Sequence, residues 1–77
     1  MSLQKPWRDL DRATVAAAPD RYGVYELGDA TGDPVGYGVG VLRDELKETL
    51  AYGDAAKVRW VVAESREHAD RLADQRF

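Results

Sequence analysis

The chain has 77 residues, enough for one domain, and carries a net charge of −3, with 44% apolar and 32% charged residues. This balance argues against a disordered segment, and the lack of cysteine excludes disulfides and thiolate metal sites. A lone histidine, His68, excludes zinc sites that need two histidines, and no apolar run approaches the ~18 residues of a membrane span.

The N-terminal part predicts a loose lead-in over residues 1–8 followed by a helix from Asp9 to Ala18. The helix is indicated by apolar side chains at helical spacing, beginning at Leu10. Pro19 is expected to end it, because proline cannot continue a helix.

A β-hairpin is predicted next. Residues 22–27 alternate in polarity as a strand does, and the turn-forming segment 28–33 follows. A second strand runs from Pro34 to about Val39. Gly36, Gly38 and Gly40 leave one face of it without side chains. Either a helix packs closely on this face, which is our interpretation, or a ligand approaches it.

The C-terminal half predicts a helix from Val41 to about Tyr52, a third strand over residues 57–63 and a terminal helix capped by Ser65. His68 lies in this helix and is expected to pack at the surface. The predicted fold class is therefore α+β: a three-stranded antiparallel sheet packed with two to three helices, in the order α-β-β-α-β-α. Residues 1–77 form one such domain.

The charged residues are skewed toward aspartate (nine, against five glutamates) and arginine (eight, against three lysines). Such a surface is typical of salt-loving archaea, although a GC-rich genome alone gives part of the pattern. With no apolar leader in view, we expect a cytoplasmic protein without membrane contact. Nucleic acid is disfavoured as a partner because every run that contains arginine also contains a carboxylate.

Residues 18–76 resemble the GIY-YIG nuclease domain. The segment Ala18–Leu27 is similar to the first signature strand of that family, with Gly23-Val24-Tyr25 as its "GIY" element. Gly36-Tyr37-Gly38 lies near the "YIG" element, although it does not align without a shift. The segment Leu42–Leu46 is similar to the start of the helix that follows.

The resemblance implies hydrolysis of DNA by a divalent metal on a late glutamate, a phosphate-binding arginine and two tyrosines beside the attacking water. Tyr25 matches the first tyrosine. Glu45 stands where the arginine belongs, and Ala73 where the metal-binding glutamate belongs. Arg43 lies about 200° around the helix from Glu45 and cannot substitute, and Asp74 is one residue out of place.

We therefore expect no catalytic residues and no metal site, and a vestigial cleft formed by Tyr25, Tyr37, Gly38, Arg43 and Glu45. The leading hypothesis is a non-catalytic interaction or assembly module without a cofactor, acting as a homo-oligomer or with a protein partner. One alternative is a divergent metal-dependent DNA endonuclease, which would need Mg²⁺. The other is nucleic-acid binding without cleavage, with tryptophan and tyrosine side chains as stacking platforms.

Overall fold

The computed structural model describes residues 3–77. Within them, four strands and three helices follow one another: β1 (Arg8–Asp9), α1 (Arg12–Ala17), β2 (Tyr22–Gly28), β3 (Pro34–Val41), α2 (Leu42–Tyr52), β4 (Lys57–Val62) and α3 (Arg66–Arg76). The strands form one antiparallel sheet in the order β1-β4-β2-β3. The α+β class is confirmed. The prediction of three strands and of the order α-β-β-α-β-α is wrong, because β1 precedes the first helix.

The short strand β1 replaces part of the predicted lead-in. Arg8 pairs with Val58 and Asp9 with Lys57, and the Lys57 ammonium lies 2.6 Å from the Asp9 carboxylate. The side chain of Leu3, in the same predicted lead-in, is buried. Met1 and Ser2, which belonged to the same prediction, lie outside the described residues. No local pattern indicates β1, because its partner strand comes some fifty residues later.

The first helix is shorter than predicted and begins at Arg12. Asp11 provides the N-cap, since its carboxylate accepts a hydrogen bond from the Thr14 amide at 2.8 Å. The hydrogen bond from the Thr14 amide is the main cause that holds the pKa of Asp11 below its usual value. The predicted start at Asp9 is wrong because that residue is in β1.

The predicted hairpin is confirmed. Strands β2 and β3 pair from Tyr22 opposite Val41 to Leu27 opposite Gly36. In the turn, the Asp29 carboxylate accepts hydrogen bonds from the Thr31 hydroxyl and amide and from the Asp33 amide. The Thr31 hydroxyl is the main cause of the lowered pKa of Asp29. Gly32 has a φ of 87°, which only glycine adopts readily.

Helices cover both faces of the sheet. The face that carries Tyr25 packs against α1 and α2, with a core of Val15, Ala18, Tyr25, Leu42, Leu46 and Val58. The opposite face carries Val24 and packs against α3, with a core of Val24, Ala63, Ala69 and Ala73. Because side chains alternate along a strand, neighbouring residues of β2 enter two different cores.

The N-terminus of α3 has the predicted cap. The Ser65 hydroxyl accepts a hydrogen bond from the His68 amide at 3.1 Å. The hydrogen bonding is reciprocal, since Nδ1 of His68 accepts a hydrogen bond from the Glu64 amide at 3.0 Å. Like the glutamate of a capping box, the histidine side chain satisfies an amide in front of the helix.

Candidate functional site

The structure brings together three of the five residues of the predicted cleft. The Tyr25 hydroxyl donates a hydrogen bond to Oε1 of Glu45 at 3.0 Å, across the gap between β2 and α2. The Tyr25 ring lies directly on Gly38, so that a side chain at position 38 would collide with its hydroxyl. The Glu45 side chain covers Gly40 in the same way. At Gly38 and Gly40, the glycine face of β3 is thus occupied by side chains of this domain.

The phenol of Tyr25 is held in its neutral form. Tyr25 is only 9% exposed, and burial is the main cause that raises its pKa to about 12. The hydrogen bond to Glu45 and the negative charge of that carboxylate raise it further. At neutral pH the hydroxyl is a donor committed to Glu45.

The other two residues of the predicted cleft lie elsewhere. Tyr37 is on the opposite face of the sheet, where its ring stacks on Phe77 with 4.1 Å between ring centroids. Arg43 turns toward α1, and its Nε donates to the Ala18 carbonyl at 3.0 Å. Ala73 is buried against the sheet in the core beneath α3.

Residues 3–7, which we call the N-terminal arm, complete a polar cluster that was not among the predicted site residues. Glu26 is only 2% exposed, and its Oε1 lies 2.7 Å from Nε of Arg59 on the neighbouring strand. The same oxygen accepts the Leu3 amide at 3.2 Å. Arg59 also donates to the Lys5 carbonyl, and its guanidinium lies 3.9 Å from the centroid of the Trp7 ring. The arm therefore covers a charged pair on the face that carries Val24.

Trp7 anchors the arm to the hairpin. Its Nε1 donates to the Gly32 carbonyl at 3.1 Å, and its ring fills the space that a side chain at Gly28 would occupy. A signal for this cluster was present in the sequence, because Glu26 and Arg59 are charged residues with apolar neighbours on both sides in their strands. It could not be interpreted without the pairing of β2 with β4, which sets the two residues opposite each other.

A basic groove of about 600 Å³ lies between the arm and β4. Its lining consists of Lys5, Pro6, Arg8, Arg59, Trp60, Val61 and Val62, with three cations and no carboxylate. The Arg8 guanidinium lies over the Trp60 ring, 4.6 Å from its centroid. This basic cluster is not visible in the amino-acid sequence, because Lys5 and Arg8 become neighbours of Arg59 only in the folded chain.

The outer edge of β3 is a second distinctive surface. All eight residues of this strand, Pro34–Val41, are uncharged, and no strand pairs with their outer side among residues 3–77. Val35 is 59% exposed and Tyr37 is 55% exposed, although both are apolar or aromatic. Gly36 has no neighbouring atom within 4 Å of the position of a side chain.

Two further features concern metals and membranes. In the part of the chain that the structure describes, no three acidic or histidine side chains lie close enough together to hold a metal ion. Over the same residues, no helix has the length and apolar character required for a membrane span.

The fold and these surfaces define a small α+β domain with a polar contact at Tyr25 and open sheet edges. The model of one protein family, described as a domain of unknown function (DUF7508), matches residues 1–76. The chain belongs to this family. Neither the curated proteins nor the solved structures contain a match.

Proposed function

We propose that this chain is a non-catalytic interaction module with a GIY-YIG-like scaffold, and that it assembles as a homodimer through the outer edge of β3. The observation that carries the proposal is the uncharged, eight-residue edge strand with Val35 and Tyr37 exposed. Natural proteins usually protect such an edge with charges, proline or a covering element, because its free backbone groups pair with other strands. Among residues 3–77, the protective features of this edge are Pro34, at the first position of the strand, and the register shift beside Gly28, and both lie at the beginning of β3.

The pairing of β3 with β2 determines which backbone groups face outward. The amide of Leu42 donates to the Arg21 carbonyl at 2.8 Å just beyond the strand, so the even-numbered residues of β3 bond toward β2. Tyr37 and Val39 then direct their backbone groups to the open edge. An antiparallel copy centred on Gly38 would place Tyr37 opposite Val39 of the partner subunit, an aromatic and β-branched pair of a favourable kind.

The surroundings of Tyr25 support a non-catalytic role. Its hydroxyl is committed to Glu45, and its ring fills the space above Gly38. A phosphate brought to this hydroxyl would meet the Glu45 carboxylate, while Arg43 is turned toward Ala18. Transition-state stabilisation of a phosphoryl group needs the opposite charge. Cleavage of DNA in Mg²⁺ or Mn²⁺ that is lost in a Tyr25→Phe variant would overturn the non-catalytic assignment.

The assembly is tested by analytical ultracentrifugation in molar salt. We expect the wild-type chain to sediment as a dimer, and a Val35→Lys variant to sediment as a monomer, because the variant places a charge on the edge strand. The matched control is Tyr52→Lys, which adds the same charge at an 87% exposed residue of α2 and should remain dimeric. A monomeric wild-type chain, or a dimer that Val35→Lys leaves intact, would contradict assembly through β3.

A further inference from the structure

The outer edge of β4 is open beside the N-terminal arm. Only Lys57 and Val58 of this strand pair with β1. If the arm continued the same register, Pro6 would lie opposite Trp60. The Ala63 amide donates to the Tyr22 carbonyl at 2.8 Å, so alternate residues of β4 bond toward β2 and Trp60 directs its backbone groups outward. Proline has no amide proton to give to such a group, and the arm leaves the sheet at this point.

The space left by the arm is the basic groove. It runs along Trp60, Val61 and Val62, whose outer side carries no strand among residues 3–77. Alternation along β4 gives Val62 the same outward backbone direction as Trp60. The groove therefore offers an extended peptide the donors and acceptors of an unpaired strand edge.

Two of the three cations of the groove have no carboxylate partner among residues 3–77. Arg59 is neutralised by Glu26 beneath it. Within residues 3–77 the ion pairs are Lys57 with Asp9 and Arg59 with Glu26, so neither Lys5 nor Arg8 has a carboxylate partner there. Both side chains are exposed. In a chain of net charge −3, the charged residues that line this groove are all cations.

From this combination we propose that the basic groove binds an extended acidic peptide segment of a partner protein, which adds as a strand to the outer edge of β4. Backbone hydrogen bonds to Trp60 and Val62 hold the segment, and Lys5 and Arg8 select carboxylates beside it. The site goes beyond assembly through β3 and does not depend on it, because the two edges lie on opposite sides of the sheet.

A single-stranded nucleic acid fits the groove less well than a peptide does. Sequence-tolerant binding of single strands relies on free aromatic faces, and the Trp60 ring already carries the Arg8 guanidinium. The free edge of β4 matches the regular spacing of peptide groups, which a sugar–phosphate backbone does not reproduce. The negative net charge of the whole chain also repels a polyanion more than a short acidic segment.

The experiment measures fluorescence anisotropy with a labelled, end-capped peptide of alternating glutamate and valine, in ~0.1 M salt so that charge pairs are not fully screened. Three further probes are compared. They are the same peptide with lysine for glutamate, the acidic peptide with alternate backbone nitrogens methylated, and single-stranded oligothymidylate. We expect the acidic peptide to bind and the lysine peptide and oligothymidylate not to bind. Methylation of the edge-facing nitrogens should lower the affinity of the acidic peptide about tenfold or more.

A charge swap identifies the groove as the binding site. The double variant Lys5→Glu/Arg8→Glu should lose affinity for the acidic peptide by about tenfold or more and gain affinity for the lysine peptide. The control Arg12→Glu/Lys47→Glu makes the same change in net charge on α1 and α2 and should bind as the wild type does. Gain of binding to the lysine peptide requires a folded groove, so misfolding cannot imitate it.

Four results would overturn the proposal: no binding of the acidic peptide to the wild-type chain, equal binding of both peptides, tighter binding of oligothymidylate, or equal losses in the two double variants. None of them bears on the sedimentation test of the β3 edge. Failure of the peptide site and failure of the assembly are therefore distinguishable.

Discussion

Tyr25 and Glu26 are adjacent in β2, yet the fold treats their side chains in opposite ways. Tyr25 enters the face covered by α1 and α2 and stays neutral, with its hydroxyl on Glu45. Glu26 enters the other face as a buried carboxylate, paired with Arg59 and covered by the N-terminal arm. One face thus receives a polar group through a hydrogen bond from a neutral phenol to a carboxylate, and the other through a desolvated ion pair.

The difference shows which contact is more costly to the free energy of unfolding when one partner is removed. Removing a hydrogen bond to a charged group lowers the free energy of unfolding by about 1.5–3 kcal/mol, and by less where water can replace the donor, as at the partly buried Glu45. A buried charge that loses its partner costs about 3–5 kcal/mol, because no water replaces the partner. The stability of the protein should therefore be more sensitive to substitutions on the Glu26 face than on the Tyr25 face.

The largest effect is expected from Arg59→Met, which leaves Glu26 buried without its cation. We expect the free energy of unfolding to fall by about 3 kcal/mol, measured by urea denaturation. The double variant Glu26→Met/Arg59→Met should recover much of this loss, since it removes both charges and keeps their volume. Additive losses in the double variant would show that the pair is not coupled, and the contrast between the two faces would then fail.

The next effect concerns the Tyr25 face. In Gly38→Ala, the new methyl group must displace the Tyr25 ring, and we expect a loss of about 2 kcal/mol in the free energy of unfolding. Gly36→Ala is the matched control on the same face of β3, where no atom lies within 4 Å, and should change stability by less than about 0.5 kcal/mol. Equal effects of the two substitutions would mean that Tyr25 does not rest on Gly38.

A smaller loss is expected from Tyr25→Phe, about 1 kcal/mol at neutral pH, because Glu45 is only partly buried and water can replace the hydroxyl. The pKa of Tyr25 is raised from 10.0 to about 12 in the folded state, so folding favours the protonated phenol. Its contribution is complete below pH 10 and is lost as the pH rises toward 12.

Denaturation curves of the wild type and of Tyr25→Phe between pH 9 and pH 12 test this sign. The stability of the wild type should fall more steeply across that range than the stability of the variant. Parallel curves would show that Tyr25 ionises with its ordinary pKa.

The smallest effect is expected from Trp7→Phe, which keeps an aromatic ring over Arg59 but removes the hydrogen bond to the Gly32 carbonyl. We expect a loss of about 0.5–1 kcal/mol. Amide hydrogen exchange should speed up at Leu3, whose amide is bonded to Glu26, and stay unchanged in α2. Faster exchange in α2 as well would show that the arm does not act on one face alone.

Local features could be predicted where neighbouring residues decide the structure. The alternation of β2, the turn at Gly32, the glycine after α2 and the cap at Ser65 are all properties of short segments. Three of the five candidate site residues, Tyr25, Gly38 and Glu45, do lie together. Tyr37 was misplaced because its position on β3 puts it on the face opposite Tyr25, which follows from the register of the hairpin.

The amino-acid sequence by itself determined the α+β class, the hairpin, the two longer helices and the face of β3 that carries no side chains at Gly36, Gly38 and Gly40. These follow from periodicity, capping and turn chemistry, which act over a few residues. The tertiary structure alone decided three features: the unpredicted strand β1, the cluster of Glu26 with Arg59 and Trp7, and the basic groove. Each brings residues 3–9 against β4, and contacts between segments some fifty residues apart leave no local signature.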